Sequence, residues 1–78
     1  MPEPRSNQLE RIVLSVSRSD WQKTAMTISR SMRECEAKGI VTTYEEIAVS
    51  IIALCKEGQL ESVGDLSNWR HSEVRLRP

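Results

Sequence analysis

Between Gly58 and Leu76 the chain reads GQLESVGDLSNWRHSEVRL, and this stretch limits the fold more than any other. An apolar helical pattern runs into Gly58 and stops there. Leu60 opens an extended segment, Gly64-Asp65 marks a turn, and Val74 and Leu76 then alternate with Glu73, Arg75 and Arg77. Such alternation puts apolar residues on one face of a strand and charged residues on the other. The order is helix, stop, strand, polar loop, strand, which is a closing β-hairpin. Leu66 to His71 is too long for a two-residue turn, so the hairpin carries a loop or wing at its tip.

Upstream, the pattern predicts three helices. Residues 1–6 hold two prolines and read as a flexible arm, leaving 7–78 as a single domain. Asn7 and Glu10 have capping-box spacing, and Leu9, Ile12, Val13 and Val16 then share one face of a short helix. Leu14 lies off that face, and the serines at 15, 17 and 19 end the helix. Ser19, spaced to Gln22, predicts the cap of a second helix whose seam is Trp21, Ala25, Ile28, Met32 and Cys35. Lys23, Thr27, Arg30 and Glu34 lie opposite, and Met26 sits on the polar side. Gly39 supplies the stop, with Ile40 folding back toward Cys35. Thr42 or Thr43 caps a third helix with a wide inward face: Tyr44, Ile47, Ala48, Ile51, Ile52, Leu54 and Cys55. Its outward face is Glu46, Val49, Ser50, Ala53 and Glu57.

The predicted fold class is mainly α with a small β-hairpin (α+β): three helices followed by a two-stranded antiparallel hairpin. That order is winged-helix-like. A 78-residue chain has room for one modest core. Cys35 and Cys55 lie on inward faces without metal-site spacing, which predicts buried, reduced thiols. No signal peptide and no apolar run of membrane-spanning length is found, so a soluble cytoplasmic protein is expected.

Several pieces resemble an uncharacterised bacterial domain-of-unknown-function family. They are Asp20-Trp21-Gln22-Lys23, Ile51 through Gly58 with Leu60 and Glu61, and Gly64-Asp65-Leu66-Ser67. Arg70 and Ser72-Glu73-Val74-Arg75-Leu76 complete the set. The resemblance covers roughly the last three quarters of the chain. It implies a helical domain closed by a hairpin, and it carries over no catalytic residues.

Charge is balanced overall, 11 basic side chains against 11 acidic, but not along the chain. Residues 1–33 are net +3, residues 34–65 net −5, and the tail from Leu66 net +2. Such alternation does not suit a generic polyanion binder; it reads first as ordinary solvated surface, with head-to-tail self-association as the alternative. His71 is the only histidine, and Ser67, Ser72, Asp65 and Glu73 lie too close to it in sequence to form a catalytic triad. Neither a metal ligand set nor a glycine-rich phosphate loop is present. No enzyme activity and no cofactor are expected.

The expected function is a non-catalytic protein-interaction module with a protein partner or a second copy. Its candidate binding residues are Trp69, Arg70, His71, Arg75 and Arg77, of types that dominate interfaces. Trp69 is open to two readings, a lid on the core or an interface anchor. The alternative function is a winged-helix DNA-binding protein that touches nucleic acid through the basic hairpin. Against it, Tyr44 to Glu57 runs without the break a separate recognition helix needs, and its outward face is acidic.

Overall fold

A computed structural model describes residues 3–78. Three helices, α1 (Arg5–Val16), α2 (Thr24–Ala37) and α3 (Tyr44–Lys56), pack beside a sheet of β1 (Gln22–Lys23), β2 (Leu60–Val63) and β3 (Glu73–Leu76). The predicted α+β class is therefore observed, with one strand added. The sheet is antiparallel in the order β1-β3-β2, so the hairpin's second strand is central. β3 pairs with β2 at Leu60↔Leu76, Glu61↔Arg75, Ser62↔Val74 and Val63↔Glu73, and with β1 at Gln22↔Val74 and Lys23↔Glu73.

β1 replaces the first turn of the predicted second helix. Instead of entering a helix at Ser19, the chain bends at Ser19 and Asp20 and then pairs with β3 through Gln22 and Lys23, and Leu76 N–H donates to the Arg18 carbonyl at 2.7 Å. Trp21 is consequently not a member of the helical seam. Ser19 caps nothing: α2 begins at Thr24, without a side-chain cap. Its first two N–H groups, from Thr24 and Ala25, donate to the backbone carbonyls of Ser72 and Trp69, each at 3.0 Å. These bonds satisfy donors that every helix start leaves open.

The start of α1 also differs from expectation. The helix opens at Arg5 after Pro4, with no side-chain cap from Asn7. Of the expected arm, Met1 and Pro2 lie outside the described residues, while Arg5 and Ser6 are helical. Arg5 bridges to α3, with Nε 3.0 Å from Glu46 Oε2 and Nη2 donating to the Val41 carbonyl. The cap of α3 is Thr43, whose hydroxyl accepts from Glu46 N–H at 3.1 Å. Both helix stops form as predicted. Ile40 N–H reaches the Cys35 carbonyl at 2.8 Å around Gly39, and Gln59 N–H reaches that of Leu54 at 3.0 Å around Gly58. Both glycines have positive φ, as this end requires.

The core joins Leu9, Ile12 and Val13 of α1, Ile28 and Cys35 of α2, and Ile47, Ala48, Ile51 and Leu54 of α3. Leu60 and Val74 close it from the sheet. Leu14, off the main face of α1, also packs against this cluster.

Two helix faces are rotated from the sequence-based assignment. α2 buries Thr24, Thr27, Ile28, Ser31 and Cys35, while Ala25 and Met32 are only half-buried. α3 buries Ser50, whereas Tyr44 is 52% exposed. Small hydroxyl residues fit where helices approach closely and can satisfy themselves on their own backbone. Ser31 Oγ donates to the Thr27 carbonyl at 2.8 Å, and Ser50 Oγ to that of Glu46 at 3.2 Å. Hydrophobic periodicity cannot register such residues as buried. Met26 is exposed, as expected from its position.

Candidate functional site

The hairpin loop, residues 64–72, is built by consecutive tight turns. Gly64 has φ +84, and a Cβ there would lie 2.7 Å from the His71 carbonyl oxygen and 3.2 Å from Ser72 Cα. Only glycine lets the two ends of the loop come this close. The Asp65 carboxylate accepts from Ser67 N–H at 2.9 Å and from its hydroxyl at 2.7 Å. These bonds favour the ionised form and hold Asp65 below the usual carboxylate range. Asn68 N–H then donates to the Asp65 carbonyl, and His71 N–H to that of Asn68.

The loop is anchored to α2 rather than projecting from the scaffold. Besides the two backbone bonds to the helix start, buried Ser72 places its Oγ 2.8 Å from Thr24 Oγ1 and 2.9 Å from the Asn68 carbonyl. Trp69 is half-buried and packs on the core. With Arg70, Tyr44, Ala25, Ile28 and Ser29 it lines an open cleft of about 220 Å³ between the loop, α2 and the start of α3. Trp69 thus covers part of the core and also forms a cleft wall.

The five predicted residues divide into two groups. Trp69 and Arg70 line the cleft, and His71 is exposed at the next position. Arg75 and Arg77 belong to the sheet instead. The Arg75 guanidinium bonds Glu61 at 2.8 Å and stacks over the Trp21 ring, so its charge is already engaged. Arg77 is exposed, and its backbone N–H donates to the Gln59 carbonyl at 3.2 Å. Tyr44, Ala25 and Ser29 were missed as site residues. The helical position of Tyr44 predicts a core residue, and nothing local reveals that the loop folds back beside it.

A larger cleft, about 400 Å³, lies between α1 and α3 and is lined by Arg5, Ser6, Leu9, Glu46, Val49 and Ser50, among others. Val49 is 65% exposed there. The Arg5 hydrogen bond holds the Glu46 carboxyl below its ordinary range. At the far end of the same helix pair, burial and the neighbouring Glu57 carboxyl push Glu10 up.

Ser67 Oγ is bonded to Asp65, and Ser72 Oγ to Thr24 and Asn68, so neither bond goes to the His71 imidazole. Among the described residues no three His, Cys, Asp or Glu side chains converge on a metal position. Cys35 is buried as expected, whereas Cys55 is only half-buried. Burial raises the pKa of both thiols, which keeps them protonated and weakly nucleophilic. No helix of the described residues is long and apolar enough to cross a membrane.

Comparison of the chain with protein-family models, with curated proteins and with solved structures found no match.

Proposed function

We propose that this domain is a non-catalytic protein-interaction module that holds an extended partner segment in the cleft between Trp69 and Tyr44. The observation that carries the proposal is the anchoring of the 64–72 loop on the start of α2. It presents an indole and an exposed phenol across one cleft at little entropic cost. Aromatic walls on a rigid scaffold are the usual makings of a binding hot spot. Arg70 at the wall and exposed His71 beside it suit a segment with an apolar anchor next to an acidic side chain. A second copy of the chain is a poorer source of such a segment, because its acidic stretch is folded into the end of α2, α3 and β2.

The alternative is nucleic-acid contact by a winged-helix-like domain. The element order α1-β1-α2-α3-β2-β3, with β3 central, supports winged-helix-like topology. The charges favour the first reading. α3 turns Glu45 and the 65% exposed Val49 outward, and Arg75 is committed to Glu61 and Trp21. Phosphate neutralisation needs cations on the presented face.

The test is a peptide-display selection on the folded domain, repeated on Tyr44→Ala and Arg70→Ala. Selected peptides should carry an apolar residue beside an acid and lose at least about tenfold in affinity on each variant. Peptides indifferent to both substitutions would reject the cleft. Sub-micromolar binding of duplex DNA at physiological salt, lost in the combined Arg70, Arg75 and Arg77 alanine variant, would establish the alternative.

A further inference from the structure

On the other side of α2 the fold gathers three arginines around one polar cleft. Arg18 follows the C-terminus of α1, and Arg30 and Arg33 come from consecutive turns of α2. With Ser15, Ser17 and Glu34 they line a space of about 360 Å³. Among the described residues none of the three guanidinium groups lies within ion-pair distance of a carboxylate. This contrasts with Arg5, Arg11 and Arg75, each paired with a glutamate.

The nearby acids are engaged elsewhere. Glu34, which lines the cleft, has its carboxylate 3.6 Å from Lys38 Nζ. Asp20 accepts from Gln22 Nε2 at 2.9 Å, and it is the Gln22 amide oxygen that receives Arg30 Nη1, at 3.4 Å. Half-buried Arg30 is thus steadied by a neutral group that leaves its charge uncancelled. Arg18 lies beyond the last turn of α1, where the helix dipole has little hold on its charge. Like charges collected in one cleft disfavour each other unless an anion joins them. The planar fork of arginine, unlike the point charge of lysine, fits tetrahedral oxyanions in pairs of bonds.

We propose that the Arg18–Arg30–Arg33 cleft binds a single phosphate group, either free phosphate or the phosphate monoester of a small molecule. The cleft is compact and bounded by two helices, so it suits one phosphate and not a continuous backbone track. It lies apart from the Trp69 cleft and shares no lining residue with it.

The experiment titrates the full chain with inorganic phosphate at constant ionic strength, following arginine side-chain NMR signals. Parallel titrations use adenosine 5′-monophosphate, adenosine and a single-stranded oligonucleotide. Saturable shifts of the Arg18, Arg30 and Arg33 side chains are expected with phosphate and with the monophosphate, and none with adenosine. Tighter binding of the monophosphate than of phosphate identifies a monoester ligand, and equal binding identifies free phosphate. The Arg30→Ala/Arg33→Ala variant should weaken binding at least about tenfold. Arg33→Lys, which keeps the charge, should weaken it measurably while the backbone spectrum stays native. Shifts that do not saturate, or that persist in the double variant, would overturn the proposal. So would oligonucleotide affinity that rises with length through the same arginines, because that is the behaviour of a nucleic-acid track.

Discussion

The Arg75 guanidinium lies 4.5 Å from the centre of the Trp21 ring while its Nε is 2.8 Å from Glu61 Oε1. One side chain of the central strand therefore ties together both edges of the sheet. Glu61 is its direct cross-strand partner, and Trp21 immediately precedes the two-residue strand β1. A strand that short has few ladder bonds of its own, and cross-strand side-chain pairs supply much of what holds it.

Arg75→Ala should therefore cost about 1 kcal/mol, combining a surface cation–π contact with an ion pair that is only partly screened. Trp21→Ala should cost a comparable amount. A double-mutant cycle between them should give a coupling of about 0.5 kcal/mol or more. Urea denaturation of the four proteins measures it. Strict additivity would mean that the stacking contributes nothing.

The same pair marks how far the sequence could be read. Val74 and Leu76 alternating with charges, and the glycines at 39, 58 and 64, mark the hairpin and the ends of α2 and α3. β1 was illegible because Gln22 and Lys23 carry no strand signature, and their extended form comes from pairing with Val74 and Glu73. Asp20-Trp21-Gln22-Lys23 looks helical by local spacing, and tertiary pairing overrides it. At the site, Trp69 and Arg70 stood out by residue type, whereas Tyr44 became visible only once the loop was seen docked on α2. The arginine cleft was legible only as an excess of positive charge, since Arg18 joins Arg30 and Arg33 through the packing of α1 on α2.

Gly64 and Gly39 should respond differently to the same substitution. At Gly39 (φ +72) an added Cβ meets nothing within 4 Å, so Gly39→Ala costs only left-handed strain, about 1 kcal/mol. At Gly64 the added Cβ meets the backbone of His71 and Ser72, which cannot swing aside. Gly64→Ala should cost more than about 2 kcal/mol, strain and overpacking together. It should also free the loop from α2, raising amide exchange at Thr24 and Ala25. Equal costs at the two glycines would contradict the tight closure of the loop.

Two carboxyls should give pH dependences of opposite sign. Glu46 lies below its ordinary value of 4.5, chiefly through its hydrogen bond from Arg5. Its contribution is present above that value and is lost as pH falls through the folded pKa. Glu10 lies above 4.5, through burial first and then Glu57. Its contribution is present below 4.5 and is lost as pH rises through the folded pKa. Arg5→Ala should therefore destabilise more at neutral pH than near about pH 3. Glu57→Gln should stabilise at neutral pH and lose that advantage in acid. Denaturation midpoints across pH test both, and parallel curves for either variant and the parent would refute the assignment.

Ser31 tests why α2 buries hydroxyls. Its side chain is 0% exposed, and its Oγ donates to the Thr27 carbonyl at 2.8 Å. That carbonyl already serves the helix ladder, so removing the hydroxyl orphans nothing. Ser31→Ala should leave stability within about 0.5 kcal/mol, because alanine is the better helix former and leaves no buried donor behind. Enlargement is another matter. Residue 31 has no exposed surface into which a larger side chain could extend, so Ser31→Leu must displace what packs around it at a cost of about 1–3 kcal/mol. If the hydroxyl itself were the essential feature, the order would reverse, with Ala the more damaging substitution. Chemical denaturation of the two variants decides between size and hydrogen bonding as the reason serine occupies this position.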